Sequence, residues 1–206
     1  MILLTAAILS ACNGPMTAYT GHNTYEYMAL DGTRSWRYSN DGSEFDLSVE
    51  KLNVQEKNGT EIVTLEYAQF EPYELMGSIM WSSDSRDGIM VHGYGVDGES
   101  MVEFSNPILV AEYRMVPGDF SETESDGTLY TSTFESVESC PNLWVDEDWD
   151  CLKFTIESDS EASTAPFIGE WWLANAWGAS IFISDNGPFS STTPWVLSQA
   201  QWDGSD

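Results

Sequence analysis

The sequence predicts a mainly β, antiparallel domain of about ten strands with at most one short helix. Three observations carry that expectation. Apolar and polar residues alternate in short runs, turn signals recur every ~8 to 15 residues, and helical periodicity is almost absent. No internal repeat of fixed period is visible, which sets the chain apart from solenoids and propellers.

The elements follow in order. Residues 33–38 place Trp36 and Tyr38 two apart before an Asn40-Asp41-Gly42 turn. Phe45, Leu47 and Val49 alternate with Glu44, Asp46 and Ser48, and the phase then slips to Leu52 and Val54. Such a slip predicts a bulge in one long strand. Asn58-Gly59 supplies the two positive-φ positions of a tight hairpin, and Val63, Leu65 and Tyr67 continue on the return strand. In residues 71–81, Pro72 followed by Leu75, Met76, Ile79 and Met80 permits one short helix, weakened by Gly77 and Ser78. A turn at 84–88 precedes strands at 89–96, 101–104 and 108–115. Residues 117–127 read as an acidic loop, and strands are expected again at 128–138, 151–157, 167–173, 181–184 and 194–202.

The N-terminus reads differently. Residues 2–9 are apolar apart from Thr5. As a helix they would span about 12 Å, far short of the ~20 residues that cross a bilayer. They have the length of a signal h-region and lead into Leu9-Ser10-Ala11-Cys12, a match to the bacterial lipobox. No Lys or Arg follows Met1, so either translation starts further upstream or the n-region relies on the α-amino charge alone. The expected organisation is a signal peptide at 1–11, a lipidated Cys12 with a short tether through residue 23, and one β-rich domain at 24–206. Asn13 after the cysteine favours outer-membrane sorting under the enterobacterial rule, and acyl chains on Cys12 make the membrane the first expected partner.

Seven Lys and Arg stand against 34 Asp and Glu, a net charge of −27. That balance repels phosphate backbones, so no nucleic-acid partner is expected, and it argues against membrane binding through basic patches. Acids spread along the whole chain describe a solvated surface that gains from salt or divalent cations.

With Cys12 committed to lipid, Cys140 and Cys151 remain as an even pair in an exported chain, which favours a disulfide. The alternatives are two buried thiols or a metal pair, and no histidine lies near them in sequence.

Residues 27–38, with Tyr27, Leu30, Trp36 and Tyr38, resemble the opening Y-x-P-L-x-x-G-x-x-W-x-Y of uncharacterised bacterial envelope lipoproteins. Trp172, Ala174 and Gly178 resemble the late W-Y-A-P-G-V-G-like signature of the same proteins, with Ala29 and Asn175 where the prolines stand. The resemblance implies a strongly curved sheet or half-barrel, similar to the lipoprotein carriers (LolA/LolB-like). It implies no catalytic residue.

Enzymatic constellations are sparse. His22 and His92 are the two histidines, no G-x-S-x-G elbow occurs, and zinc lacks nitrogen ligands. Asp146, Asp148 and Asp150 offer oxygen ligands for Ca2+, as do Asp119, Glu122, Glu124 and Asp126, although none matches an EF-hand loop. Nine tryptophans are the remaining signal. Trp171, Trp172 and Trp177 are candidate ligand-facing rings, and the adjacent pair points to opposite faces of a strand. These features support a non-enzymatic, lipid-anchored module for a lipid, glycan or protein partner. The alternative is an anchored polysaccharide hydrolase using a carboxylate pair.

Overall fold

A computed structural model describes residues 21–28, 30, 33–96, 99–140, 149–160 and 163–202. The signal peptide, Cys12, Asp146 and Asp148 lie outside these residues. The described chain is almost entirely strand: β1 (His22–Asn23), β2 (Thr33–Ser39), β3 (Asp46–Lys57), β4 (Thr60–Phe70), β5 (Glu74–Asp84), β6 (Gly88–Val96) and β7 (Val102–Ala111) form the first half. The second half holds β8 (Arg114–Met115), β9 (Phe120–Ser125), β10 (Thr128–Cys140), β11 (Trp149–Ser158), β12 (Gly169–Ala174), β13 (Gly178–Ser184) and β14 (Trp195–Trp202). One 3-10 turn, Thr24–Tyr27, is the helical element among the described residues.

Twelve strands make one antiparallel sheet in the order β7-β6-β5-β4-β3-β2-β14-β13-β12-β11-β10-β9. Every neighbour is also a neighbour in sequence except β2 and β14, the first and last strands of the sheet, which pair with Tyr38 opposite Leu197. The curved sheet expected from the sequence is thus a nearly closed up-and-down barrel, with twelve strands rather than ten.

The barrel closes at an unusual seam. Edge strands β7 and β9 meet through side chains: the Leu109 amide donates to Thr123 Oγ1 at 3.1 Å, and the Asn106 amide to Ser125 Oγ at 3.2 Å. The Ser105 amide donates to Asp126 Oδ2 at 3.2 Å, and Asn106 Nδ2 returns a bond to the Glu124 carbonyl at 3.1 Å. Edge groups that would otherwise template aggregation are therefore occupied.

A twelve-stranded wall encloses a wide interior, and large rings fill it. Trp171 stacks on Phe182 at 4.9 Å and meets Trp81 edge-on at 5.6 Å. Tyr67 stacks on Phe189 at 4.7 Å, and Phe134 on Phe154 at 5.0 Å. Loops plug the distal end of the barrel with Phe167 and Phe189, whose carbonyls accept the indole N–H groups of Trp171 (2.8 Å) and Trp195 (3.0 Å). The N-terminal segment plugs the opposite, proximal end. There β1 pairs with β8, the Thr24 amide donates to Tyr113 O at 3.2 Å, Ser83 Oγ donates to Tyr25 O at 2.8 Å, and Met28 and Leu30 are buried.

Asn58 and Gly59 both take positive φ, 57° and 80°, as the hairpin requires, and the phase slip is a register shift between Lys51 and Asn53 that leaves Leu52 exposed. One ambiguity is resolved and one expectation is corrected. Residues 74–84 are strand rather than helix: Ile79 and Trp81 face the core while Met80 and Ser82 are buried on the outer face. Burial on both faces erases the alternation that marks a strand. The acidic loop contains β9, in which Ser121, Thr123 and Ser125 are buried and Glu122 and Glu124 exposed. Its alternation is hydroxyl against acid, invisible to a hydrophobicity pattern.

Candidate binding trough

Met80 and Ser82 are buried on the outside of the barrel because the wall is concave there. Irregularities in three ladders bend it: Lys51/Asn53 between β3 and β4, Met80/Trp81 between β5 and β6, and Val91/Gly93 between β6 and β7. Bulges re-aim side chains and cluster beside functional sites. Here His92 is the extra residue of β6, since Val91 pairs with Trp81 and Gly93 with Met80. On the other side Val91 pairs with Ile108 and Gly93 with Glu103, so β7 loops out over the residues that include Pro107. A Cβ on Gly93 would stand 2.4 Å from the Val102 carbonyl, which explains glycine at this approach.

The result is a trough across β3–β7 with two halves of about 350 and 360 Å³ that share Gln55, Met80 and Glu103. The proximal half is lined by Lys57, Asn58, Arg86 and His92, the distal half by Leu52, Glu66, Leu75, Glu99 and Met101. His92 is half-buried, and its Nε2 lies 2.8 Å from Ser82 Oγ. Burial, and then the charge of Lys57, lower its pKa below 6.5, so the ring is neutral at pH 7. Ser82 is only 1% exposed and cannot meet a substrate; its hydroxyl positions the imidazole. The chemistry on offer is recognition by imidazole, ammonium, guanidinium, amides and flexible thioethers. A second pocket, about 500 Å³, opens under the proximal plug between Tyr25, Met28, Leu30, Val63 and Ser83.

The residues singled out from sequence fall elsewhere. Trp171 is 2% exposed and belongs to the core, which corrects its reading as ligand-facing. Trp172 stands on the outer face of β12, its Nε1 3.3 Å from Glu138 Oε2 and Lys153 Nζ 4.6 Å above its ring. Trp177 follows the β12–β13 turn and stacks on Trp149 at 5.5 Å and 4°, while its carbonyl accepts Trp36 Nε1 at 2.9 Å. Trp172 and Trp177 pack against one small cluster of Cys140, Cys151, Ala174 and Ile181, apart from Trp171 in the main core. Cys140 and Cys151 are joined as a disulfide, with Cα atoms 5.9 Å apart, at the proximal ends of β10 and β11. Asp150 is exposed on β11, and no group of three metal-ligating side chains converges among the described residues. His22 packs edge-on against Phe134 at 5.9 Å in β1.

Sequence reasoning missed the trough because no single segment makes it. Two signals were present: Pro107 between the strand patterns of 101–104 and 108–115, which β7 joins, and Gly93-Tyr94-Gly95 inside the pattern of 89–96, both marks of a bulge.

No family model matches the sequence, and no curated protein matches it. A candidate lipoprotein of Parabacteroides distasonis is similar in structure, with 13% identity over 85% of this chain and 98% of that one and a TM-score of 0.45. A candidate exported protein of Bacteroides fragilis with a YmcC-like fold has 15% identity over 82% and 94% of the two chains and a TM-score of 0.37.

Proposed function

We propose that this chain is a lipid-anchored protein of the bacterial cell envelope, tethered through Cys12 to the outer membrane, and that it binds an extended segment of a partner protein without turning it over. The anchor rests on the apolar run at 2–9 leading into Leu9-Ser10-Ala11-Cys12. The binding role rests on one observation, the trough across β3–β7.

Its chemistry favours a polypeptide over a lipid or a sugar. Rings fill the middle of the barrel, and the pocket of about 500 Å³ beneath the plug is lined by Glu26, Glu61 and Asp84 beside its apolar groups, a lining that suits an acyl chain poorly. Sugars stack on exposed aromatic faces, whereas the trough presents Met80, Met101 and Leu52, and the Phe104 ring turns inward onto Tyr130 and Phe167 at 5.6 and 5.8 Å. Methionine surfaces adapt to varied apolar side chains, and Gln55, Asn53 and Asn58 supply the amides an extended backbone needs. Glu66 and Glu99 line the distal half and Lys57 the proximal half, where Arg86 is paired with Asp87, and this difference would set the direction of the bound strand.

Peptide and glycan arrays probed with the Cys12→Ser chain test the reading. Peptide binding lost in Leu52→Glu and Met101→Glu, with both variants folded, supports it. Glycan binding indifferent to both changes, or polysaccharide cleavage, overturns it. Palmitate incorporation that survives Cys12→Ser overturns the anchor.

A further inference from the structure

The outer wall carries a second hollow, away from the trough. Strand β14 slips its register against β2 twice, between Leu197 and Gln199 and between Gln201 and Trp202, and a pocket of about 220 Å³ lies beside the slips. Trp36 and Tyr38 are buried in the core, which turns Ser35 and Arg37 outward. Two cross-strand rows line the pocket: Gln199, Arg37 and Ser48 in one, Gln201, Ser35 and Glu50 in the other. None of these residues lines the trough. The Arg37 guanidinium lies over the Phe70 ring, 3.5 Å from its centroid, a contact with a ring face that leaves its N–H donors unused. In a chain with 34 acids against seven cations a carboxylate neighbour is the ordinary outcome. Among the described residues none pairs with Arg37, and no acceptor takes its N–H groups. The side chains of Ser35, Ser48, Glu50, Gln199 and Gln201 likewise make no hydrogen bond to a described residue. Nearby on the same wall such groups pair off, Ser39 with Asp46 at 2.9 Å and Tyr73 with Glu66.

We propose that this pocket binds a free α-amino acid with a small polar side chain, a ligand separate from the peptide of the trough. Arg37 takes the carboxylate and Glu50 the ammonium. A guanidinium offers two parallel N–H groups to a planar carboxylate, and its contact with Phe70 holds that fork in place. Glu50 stands diagonal to Arg37 on the β2–β3 ladder, roughly 7–8 Å away between Cα atoms. The two side chains are not paired with each other, so a zwitterion set between them satisfies both charges at once. Gln199, Gln201, Ser35 and Ser48 supply donors and acceptors for a polar side chain. Other ligand classes fit less well. A polyanion meets Glu50 and a net charge of −27, whereas a zwitterion is neutral. A sugar ring stacks on an open aromatic face, and Arg37 covers that of Phe70. A volume of about 220 Å³ lies below the range of about 300–1,000 Å³ that takes drug-sized molecules. Glu50 is exposed and its charge screened, so the affinity is weak and the test uses a method suited to weak binding.

Titration of the isotope-labelled Cys12→Ser chain with L-serine and L-asparagine, followed by NMR, tests this. Saturable shifts are expected at the Gln199 and Gln201 side-chain amides and along residues 35–37. Arg37→Gln should weaken binding about tenfold, the loss of a charge-assisted pair, and Glu50→Gln about threefold, the loss of an exposed one. Spectra unchanged away from the pocket show that the variants are folded. The ligand side gives a reading that needs no variant: serine methyl ester, without a carboxylate, and N-acetylserine, without an ammonium, should both bind more weakly than serine. N-acetylserine that binds as tightly as serine overturns the zwitterion. Shifts matched by inorganic phosphate, or binding that survives Arg37→Gln, overturn the site. The absence of saturable shifts with either amino acid overturns it too, as do shifts confined to the trough, and neither result bears on the peptide reading of the trough.

Discussion

Across the barrel seam, the Leu109 amide donates to the Thr123 hydroxyl at 3.1 Å, where an ordinary ladder would use a carbonyl. A side chain therefore determines whether this edge is closed. Thr123→Val keeps the shape and removes the acceptor, leaving a poorly solvated N–H; the expected loss is about 1–2 kcal/mol in denaturant unfolding. Thr123→Ser restores most of it. Faster exchange of the Leu109 amide in the valine variant should accompany the loss, and an unchanged rate would show that the bond does not hold the seam.

The adjacent tryptophans of β12 should respond oppositely. Trp171 is enclosed by Trp81 and Phe182, so Trp171→Ala should cost about 3–5 kcal/mol or abolish folding. Trp172 is half-buried against the small cluster of Cys140, Cys151, Ala174 and Ile181, under Lys153 and beside Glu138, so Trp172→Ala should cost less, about 1–2 kcal/mol. Thermal melts of the two variants provide the comparison.

Reducing the Cys140–Cys151 bond releases a constraint between residues 11 apart in sequence. Stability should fall by about 2–3 kcal/mol on the chain-entropy account. Reduction should also loosen the Trp149–Trp177 stack, read as a change in near-ultraviolet circular dichroism.

His92 gives the fold a defined pH response. Its folded pKa is depressed, first by burial and then by Lys57, so the fold favours the neutral ring. The corresponding stability is fully present above the unfolded pKa of about 6.5 and is lost as pH falls through the lower folded value. His92→Gln should flatten the decline in melting temperature between neutral and mildly acidic pH. An identical slope in the variant would assign that decline to the carboxylates.

A net charge of −27 also predicts that added salt raises the melting temperature by screening self-repulsion. A melting temperature flat across a sodium chloride titration would show that local pairing already compensates the charge.

Much of the wall was readable residue by residue. Asn58-Gly59 specified a hairpin because two positive-φ positions in a row admit few alternatives, and the slip at Leu52 marked a bulge because period-2 alternation leaves no other way to change phase. Strand β5 was obscured by Met80, an apolar residue buried on the outside, and β9 by an inner face of serine and threonine. The trough was illegible for a different reason. It depends on which strands stand side by side and on how three bulges bend them, and no local pattern encodes either.

The ladder that joins β2 to β14, where Ser198 Oγ also donates to the Arg37 carbonyl at 3.1 Å, has a temporal consequence. Synthesis produces β2 long before β14, so the N-terminal strands wait with one edge bare until β14 emerges. Contacts between such distant positions slow folding and prolong the exposure of that edge. Removing β14 should therefore yield a chain that aggregates through β2 rather than a slightly smaller barrel, and a holding chaperone would act during the interval before β14 docks.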